Sequence, residues 1–588
     1  MVARSTNEMS ILIGGDAGQG VESGGAGFAQ AFARAGLHVY AMQDFRSRIR
    51  GGHNFFQMRL SERPVYSHRD PVQLVVALNP ESVSMHLDHI ADGGAVIFAD
   101  SFKIDEAPLR ERGISVDSLP LLKIAEQHGN RIMMNTAALG ATAGITGFPL
   151  EFLEGVIRQN FEVKGQAAVD ANLAVARDAY DAAKTRYGDD FPHRLAPVQG
   201  APRRMLMNGN QALALGALAG GCRFISAYPM TPATSVIEWL AAAPAEYGVV
   251  TKHTEDEIAA VCMAIGASFT GARAMTATSG GGLSLMVEAM GLAGITEVPL
   301  VIVDAQRGGP STGMPTHTEQ SDLLFVVHAS QGEFPRMVLA PGNVEECFEA
   351  GWRALNLADR YQCPVVVMTD TLLASSLQTV DADEIDFRNV TIDRGKTLDG
   401  SRPIPDGYKR FEYSDDGVSP RAFPGNPDAI VTASSDEHDE AGHISEDSDI
   451  RIRMMRKRMQ KLETARGEMR TPSLYGPENA DITLITWGST YGVCRHAVDL
   501  LNESGESARM LHFGDVWPVP VDAVGAVLRS CRRTVVVEQN YTSQLAALLR
   551  MTTGFEANVT LTKYDGRPFG PDDIVAAVRR EVGVGYKA

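Results

Sequence analysis

Between Tyr228 and Asp322 the chain concentrates residues that can bind an anion or share a proton, set among glycines and prolines. Tyr228-Pro229-Met230-Thr231-Pro232 follows an apolar run. Glu255-Asp256-Glu257 opens an apolar stretch through Ile265, and Ser279-Gly280-Gly281-Gly282 makes a glycine turn. Arg307 then leads through Gly308-Gly309-Pro310-Ser311 to Thr316-His317. A guanidinium clamps a carboxylate through two parallel hydrogen bonds, and a threonine hydroxyl can hold the neighbouring oxygen, so Arg307 and Thr231 suit a 2-oxo acid. A partly desolvated glutamate heading an apolar helix is placed to share a proton with a neutral heterocycle. Taken alone, such a glutamate is better read as an acid favoured by the helix dipole.

The elements that must position these residues alternate between short apolar strands and helices, which predicts an α/β protein with parallel sheets. Residues 1–188 form a first α/β domain, 189–204 a proline-bearing linker and 205–380 a doubly wound α/β domain. A charged excursion covers 381–475, and a third α/β domain covers 476–588. In the second domain the strand Phe224–Tyr228 is broken by Pro229, which displays Thr231 at the C-terminal edge of a sheet, where ligands bind in open α/β folds.

Other segments leave their alternatives open. Ile11-Leu12-Ile13 feeds the turn Gly14–Gly20 and an Ala-rich helix, spaced GxxGxG and not GxGxxG, so an anion site and a plain turn are equally supported. Asp44 lies farther on than the usual ribose-binding acid. Arg46-Ser47-Arg48-Ile49-Arg50-Gly51-Gly52-His53 reads as an anion loop or, with slightly more weight, as a salt-bridged interface loop. The excursion is either a disordered acidic loop or an ordered arm, and its His438 and His443 are as consistent with solvated surface as with a metal.

A net charge of −18 argues against non-specific nucleic-acid binding. No apolar run approaches a membrane span and Met1–Ser10 has no signal-peptide pattern, so a cytoplasmic protein is expected. The six cysteines are isolated, with no CxxC or CxxH spacing, which favours packed reduced thiols over zinc or an iron–sulfur cluster in this chain.

Tyr228–Thr234, Thr278–Gly282 and Gly313–Leu323 together resemble the thiamine-diphosphate 2-oxoacid:ferredoxin oxidoreductase family, and within it the α subunits that act on 2-oxoglutarate. Gly14–Ser23 with Arg50-Gly51-Gly52 looks like the family's γ domain, fused ahead of the α domain. Trp487-Gly488-Ser489-Thr490 and Glu538-Gln539-Asn540 look like its transketolase-C-terminal-like domain, so the resemblance spans nearly the whole chain. It implies that the second domain binds the pyrimidine half of thiamine diphosphate. Glu257 would be the activating carboxylate, because Gly266-Ala267 follows it at the family's spacing, with Glu255 as the fallback. Tyr228, Pro229, Ser279 and Gly280 would line the cofactor. Thr231 and Arg307 would contact the 2-oxo acid, Thr316 its side chain, and His317 and Ser311 a distal carboxylate.

The implied reaction converts 2-oxoglutarate and coenzyme A to succinyl-CoA and CO2, with electrons leaving through an iron–sulfur cluster to ferredoxin. Neither a GDG segment for Mg2+ and the diphosphate nor a cysteine array is found. The resemblance therefore places Mg2+ and a [4Fe-4S] cluster on a separate β subunit, in an α2β2 assembly. The same chemistry on pyruvate or a branched 2-oxo acid, a non-catalytic scaffold, and a nicotinamide dehydrogenase resting on the Gly14–Gly20 turn are the alternatives.

Overall fold

The computed structural model describes residues 5–45, 52–187, 190–243, 245–398 and 404–582. Its aliphatic and β-branched runs form sheets of eight, seven and five strands. Contacts divide the chain into one unit of Met1–Asn208, Ser375–Ile385 and Gly570–Asp572, and a second of Gly209–Ala374, Asp386–Phe569 and Asp573–Ala588. Among the described residues no helix is long and apolar enough to cross a membrane.

In the first unit the sheet runs Ser115–Leu119, Ile90–Ala99, Val72–Ala77, Met9–Asp16, His53–Ser61, His38–Phe45, Leu377–Asp381, Arg204–Met207. The expectation of parallel sheets throughout fails here. The ladders from Ser115–Leu119 to Met9–Asp16 are parallel, and those from Met9–Asp16 to Arg204–Met207 are antiparallel. The connection between His38–Phe45 and His53–Ser61 is too short for a helical crossover, so these strands must pair as a hairpin, His38 opposite Ser61 and Phe45 opposite Asn54. The basic segment read as an anion or interface loop occupies that connection, and its residues 46–51 lie outside the described ones. Phe28 and Phe32 of the helix Val21–Arg34 pack with Phe148 in the core.

The seven-stranded sheet of the second unit runs Val250–His253, Phe224–Ala227, Ala274–Thr278, Leu300–Gln306, Pro364–Asp370, Met337–Leu339, Asp515–Trp517. All neighbours are parallel except the last pair. The five-stranded sheet is Ser473–Tyr475, Ala508–Phe513, Ile482–Trp487, Arg533–Glu538, Val559–Thr562, parallel apart from its first edge. One apolar core joins the two layers, with Ile302, Val366 and Met368 from one sheet meeting Ile485, Trp487, Leu511 and Phe513 from the other.

From Asp386 onward the described part of the charged excursion is folded onto this unit and held by buried ion pairs. Glu297 is fully buried, with Lys457 Nζ and Lys461 Nζ each 2.6 Å from one of its carboxylate oxygens. Arg410 donates to its carbonyl at 2.6 Å. Against burial, which would raise it, Lys457, Lys461 and Arg410 hold the Glu297 carboxyl below its ordinary range. Burial pulls the Lys457 ammonium down to about 7, against the attraction of Glu297. His438 and His443 do not converge: His438 is buried against the Phe411 ring at 4.2 Å, and the exposed His443 faces Asp439 at 3.6 Å. Removing the shared anion leaves two buried ammonium groups without a counter-charge, so Glu297→Gln should cost about 3–5 kcal/mol. Limited proteolysis should then cut the helix Ser448–Arg466 in the variant while sparing it in the wild type; equal protection would contradict the anchoring role.

Candidate active site

The chain runs from Phe224–Ala227 to the sheet edge at Val250–His253 and then back to Ala274–Thr278 on the other side. That reversal opens a crevice at the C-terminal ends of Phe224–Ala227 and Ala274–Thr278, the usual ligand position in such sheets. Into this edge run Tyr228-Pro229 after the first strand, Ser279–Gly282 after the second and Arg307 after Leu300–Gln306.

The acidic run is resolved by helix capping. Asp256 takes the N-cap of the helix Glu257–Phe269 and accepts a 2.7 Å hydrogen bond from Ala259 N–H. Glu255 is left exposed, whereas Glu257 turns inward and is buried. Its Oε1 has no hydrogen-bond partner among the described residues. The glycine turn expected at Ser279–Gly282 is instead the start of the helix Gly280–Ile295, with Ser279 at its N-cap. A Cβ on Gly282 would stand 2.6 Å from Glu257 Cγ and 2.8 Å from Oε1, so only glycine lets this first turn lie against the carboxylate. Ser279 Oγ is likewise buried without a partner. An unsatisfied buried carboxylate oxygen is costly unless a donor arrives from outside the chain. A protonated or amino-bearing heterocyclic nitrogen is such a donor, so the donor set fits an aminopyrimidine.

Arg307 is half-buried and donates from Nη1 to the Thr231 carbonyl at 2.8 Å. Burial lowers its guanidinium pKa, but an arginine stays charged, and its other N–H groups remain to meet an anion. The segment after Arg307 folds back as a small hairpin, with Met314 N–H donating to Gly308 O at 2.7 Å. Gly313 at φ 51° lies so close under Gly308 that a side chain there would strike its carbonyl. The exposed Ser311 at the tip has its carbonyl 3.8 Å from where a Gly281 Cβ would be. Thr316 and His317 are half-buried on the return. His317 O accepts from Gly308 N–H at 3.2 Å and from Thr371 Oγ1 at 3.2 Å. The structure thus joins Thr231 to Arg307, Glu257 to the glycine turn, and Ser311 to the same turn. Tyr228 and Pro229 stand exposed at the rim, with the Tyr228 ring 6.5 Å from that of His253.

A second set of acids, not among the residues expected from the sequence, lies under the first turn of the helix Gly280–Ile295. Asp304, in the middle of the strand Leu300–Gln306, is fully buried with neither carboxyl oxygen partnered among the described residues. Asp322 presses against the turn so closely that a Gly280 Cβ would meet its Cγ at 2.8 Å. Burial and then the neighbouring Asp322 push the Asp304 carboxyl well above its usual range. Burial and then Glu319 push Asp322 up to about 6. The available signal was a charged residue inside the otherwise apolar run Leu300–Ala305.

Comparison with known proteins adds to this geometry. The family described as pyruvate flavodoxin/ferredoxin oxidoreductase, thiamine diP-bdg, matches residues 215–457. Pyruvate ferredoxin/flavodoxin oxidoreductase matches 10–182, and pyruvate:ferredoxin oxidoreductase core domain II matches 480–574. A 2-oxoacid:ferredoxin oxidoreductase subunit alpha from Sulfolobus is 34% identical, covering 98% of each chain. The 2-oxoglutarate oxidoreductase subunit KorA of Mycobacterium tuberculosis is 28% identical over 97% of this chain and 91% of its own. Among solved structures, 2-oxoglutarate:ferredoxin oxidoreductase from Magnetococcus marinus, with 2-oxoglutarate, coenzyme A and succinyl-CoA bound, superposes with a TM-score of 0.92 at 35% identity. It covers 98% of this chain and is itself covered completely.

The acids under the turn make stability fall with rising pH. Between 3.8 and about 6 the folded chain keeps a proton on Asp322 that the unfolded chain has released. Its contribution is therefore complete below the lower value and lost as pH rises through the upper one. Asp322→Asn removes this group from the linkage, with Asp304 and Glu319 still facing the site. The decline of the thermal midpoint across that window should be shallower in the variant than in the wild type. Parallel midpoint curves would show that Asp322 does not hold the proton.

Proposed function

The chain belongs to the 2-oxoacid:ferredoxin oxidoreductase family as an α subunit with a thiamine-diphosphate-binding domain, and from that premise we propose that it acts on 2-oxoglutarate. In this reading it carries out CoA-dependent oxidative decarboxylation to succinyl-CoA, paired in the cytoplasm with a β subunit in an α2β2 complex that reduces ferredoxin. The observation that carries the reading is the buried Glu257 carboxylate, whose Oε1 lacks a partner among the described residues beside the first turn of the helix Gly280–Ile295, where a side chain at Gly282 would have no room.

Thiamine diphosphate, when bound, supplies the carbon nucleophile that 2-oxo-acid decarboxylation requires. Glu257 would accept a hydrogen bond from the aminopyrimidine at Oε1 and hold or release the proton there. Glu255, exposed beyond the cap, takes no such role. Ser279 and Gly280 line the ring, and Tyr228 and Pro229 close the rim. Arg307, steadied by the Thr231 carbonyl, binds the 2-oxo acid's carboxylate with its remaining N–H groups, and the Thr231 hydroxyl holds the adjacent oxygen. Thr316, His317 and Ser311 face the distal carboxylate. The ligands bound to the Magnetococcus relative and the naming of the mycobacterial one support 2-oxoglutarate over pyruvate.

The partner is supported by the surface around Glu257. The helices Glu257–Phe269 and Gly280–Ile295 are apolar on nearly every side, and Ile258 (52% exposed), Met263 (40%) and Leu285 (52%) face outward beside the site. A helix apolar all round belongs in an interior. A β subunit seated there would bring Mg2+, the diphosphate contacts and the [4Fe-4S] cluster.

The test is CoA-dependent viologen or ferredoxin reduction by the chain co-purified with its partner. 2-Oxoglutarate should be preferred to pyruvate. Glu257→Gln should lower turnover by roughly 10²- to 10⁴-fold, the range of a positioned acid–base group, with assembly intact, and Arg307→Ala should act chiefly through KM. A clear preference for pyruvate would sink the substrate assignment, and undiminished turnover in Glu257→Gln would sink the role of that residue.

A further inference from the structure

The loop bearing Ser311, Thr316 and His317 ends at Gln320, which is fully buried. Its side-chain amide donates to Trp487 O at 2.9 Å, and its Oε1 accepts from Gln539 N–H at 3.0 Å. Its backbone N–H donates to Gln539 O at 2.7 Å, and its carbonyl accepts from Asn540 Nδ2 at 3.0 Å. Both the main chain and the side chain of one residue are thus engaged as donor and as acceptor by the layer of the five-stranded sheet. A Cβ on Gly488 would come within 2.7 Å of the Gln320 amide nitrogen, so the residue after Trp487 is small where the glutamine lies.

The partners are fixed in their turn. Trp487 Nε1 and Asn540 Nδ2 donate to Glu538 Oε2 at 3.1 and 2.9 Å, and the same carboxylate accepts from Leu545 N–H at 2.8 Å and Ala546 N–H at 3.1 Å. Gln544 adds a second tie, donating to Ser321 O at 2.7 Å and accepting from Leu324 N–H at 2.9 Å. The apolar core already joins the two layers without any of these bonds. What a fully satisfied polar network adds is a single register.

We infer that Gln320 is a positioning residue of the substrate site, fixing where Thr316 and His317 stand by tying their loop to Trp487 and Gln539-Asn540. The inference rests on the reading that these two residues meet the distal carboxylate of 2-oxoglutarate. Gln320 touches no reacting atom. Its loss shifts the far end of the loop, while Arg307 at the loop's start stays tied to the Thr231 carbonyl and Glu257 stays on its own helix.

The experiment compares Gln320→Ala and Gln320→Met with wild type, each co-purified with the partner subunit, measuring kcat and KM for 2-oxoglutarate and for pyruvate. Pyruvate has no distal carboxylate and reports on the rest of the site. Gln320→Met keeps the length and bulk of the side chain without its amide, and covers the case in which Gln320→Ala does not assemble. KM for 2-oxoglutarate should rise by roughly tenfold to a hundredfold, the penalty for displacing positioning groups by about an ångström. KM for pyruvate and kcat for both acids should stay within about twofold of wild type, too small a change for a displacement of that size. An assembled Gln320→Met complex with unchanged KM for 2-oxoglutarate, or with equal losses on both acids, overturns the inference. So does a Gln320→Met chain that fails to assemble, which would make Gln320 a folding residue only. A wild-type complex that turns over pyruvate but not 2-oxoglutarate overturns the functional reading, and this inference with it.

Discussion

A carboxylate taken out of water must gain donors, gain a counter-charge or keep its proton, and the second unit is arranged around that constraint. Glu538 gains donors, from an indole, an amide and the head of the helix Gln544–Thr553. Glu297 gains counter-charge and with it anchors a segment that composition alone would leave in solvent. Asp304 has neither, and burial with the neighbouring Asp322 pushes its carboxyl well above the usual range. Glu257 lies beside the crevice with its buried Oε1 left without a partner among the described residues. Two of these arrangements are complete within the chain, Asp304 meets its burial with a raised pKa, and Glu257 invites a ligand. This contrast marks the site more sharply than any count of polar residues.

Much of this was legible in the sequence because it depends on local rules. Pro229 ends a strand and an acid at a helix head is stabilised there, so the strand end and the helix head could be named in advance, whereas the glycine triplet expected as a turn opens the helix Gly280–Ile295. The sequence could not say which of Glu255, Asp256 and Glu257 faces inward. The choice is made by Asp256 taking the cap, which rotates its neighbours by one helical step each. Nor could it place Asp304, whose burial comes from strands on both sides, at Thr278 and Met368, that lie far away along the chain.

The misjudged parts share a cause. The expectation of parallel sheets fails between His38–Phe45 and His53–Ser61 because so short a connection between two strands requires antiparallel pairing. Trp487-Gly488 and Glu538-Gln539-Asn540 were noticed as family signatures, with no role attached. In the structure they are the surface against which the loop ending at Gln320 is seated, and a role of that kind is carried by bonds between residues more than 150 positions apart.

The position of Leu377–Asp381, between His38–Phe45 and Arg204–Met207 in the first sheet, bears on how the chain is made. Domains fold largely as they leave the ribosome, but this sheet cannot be finished in that order. With synthesis at about 5–20 residues per second, some 330 residues separate His38–Phe45 from the strand that covers it, so its outer edge waits for roughly twenty seconds to a minute. An unpaired strand edge is a template for pairing with another chain. Newly made molecules are therefore most vulnerable to misassembly on a polysome, where many copies expose that edge side by side. Chaperone demand should depend on elongation rate more than on the stability of the finished protein.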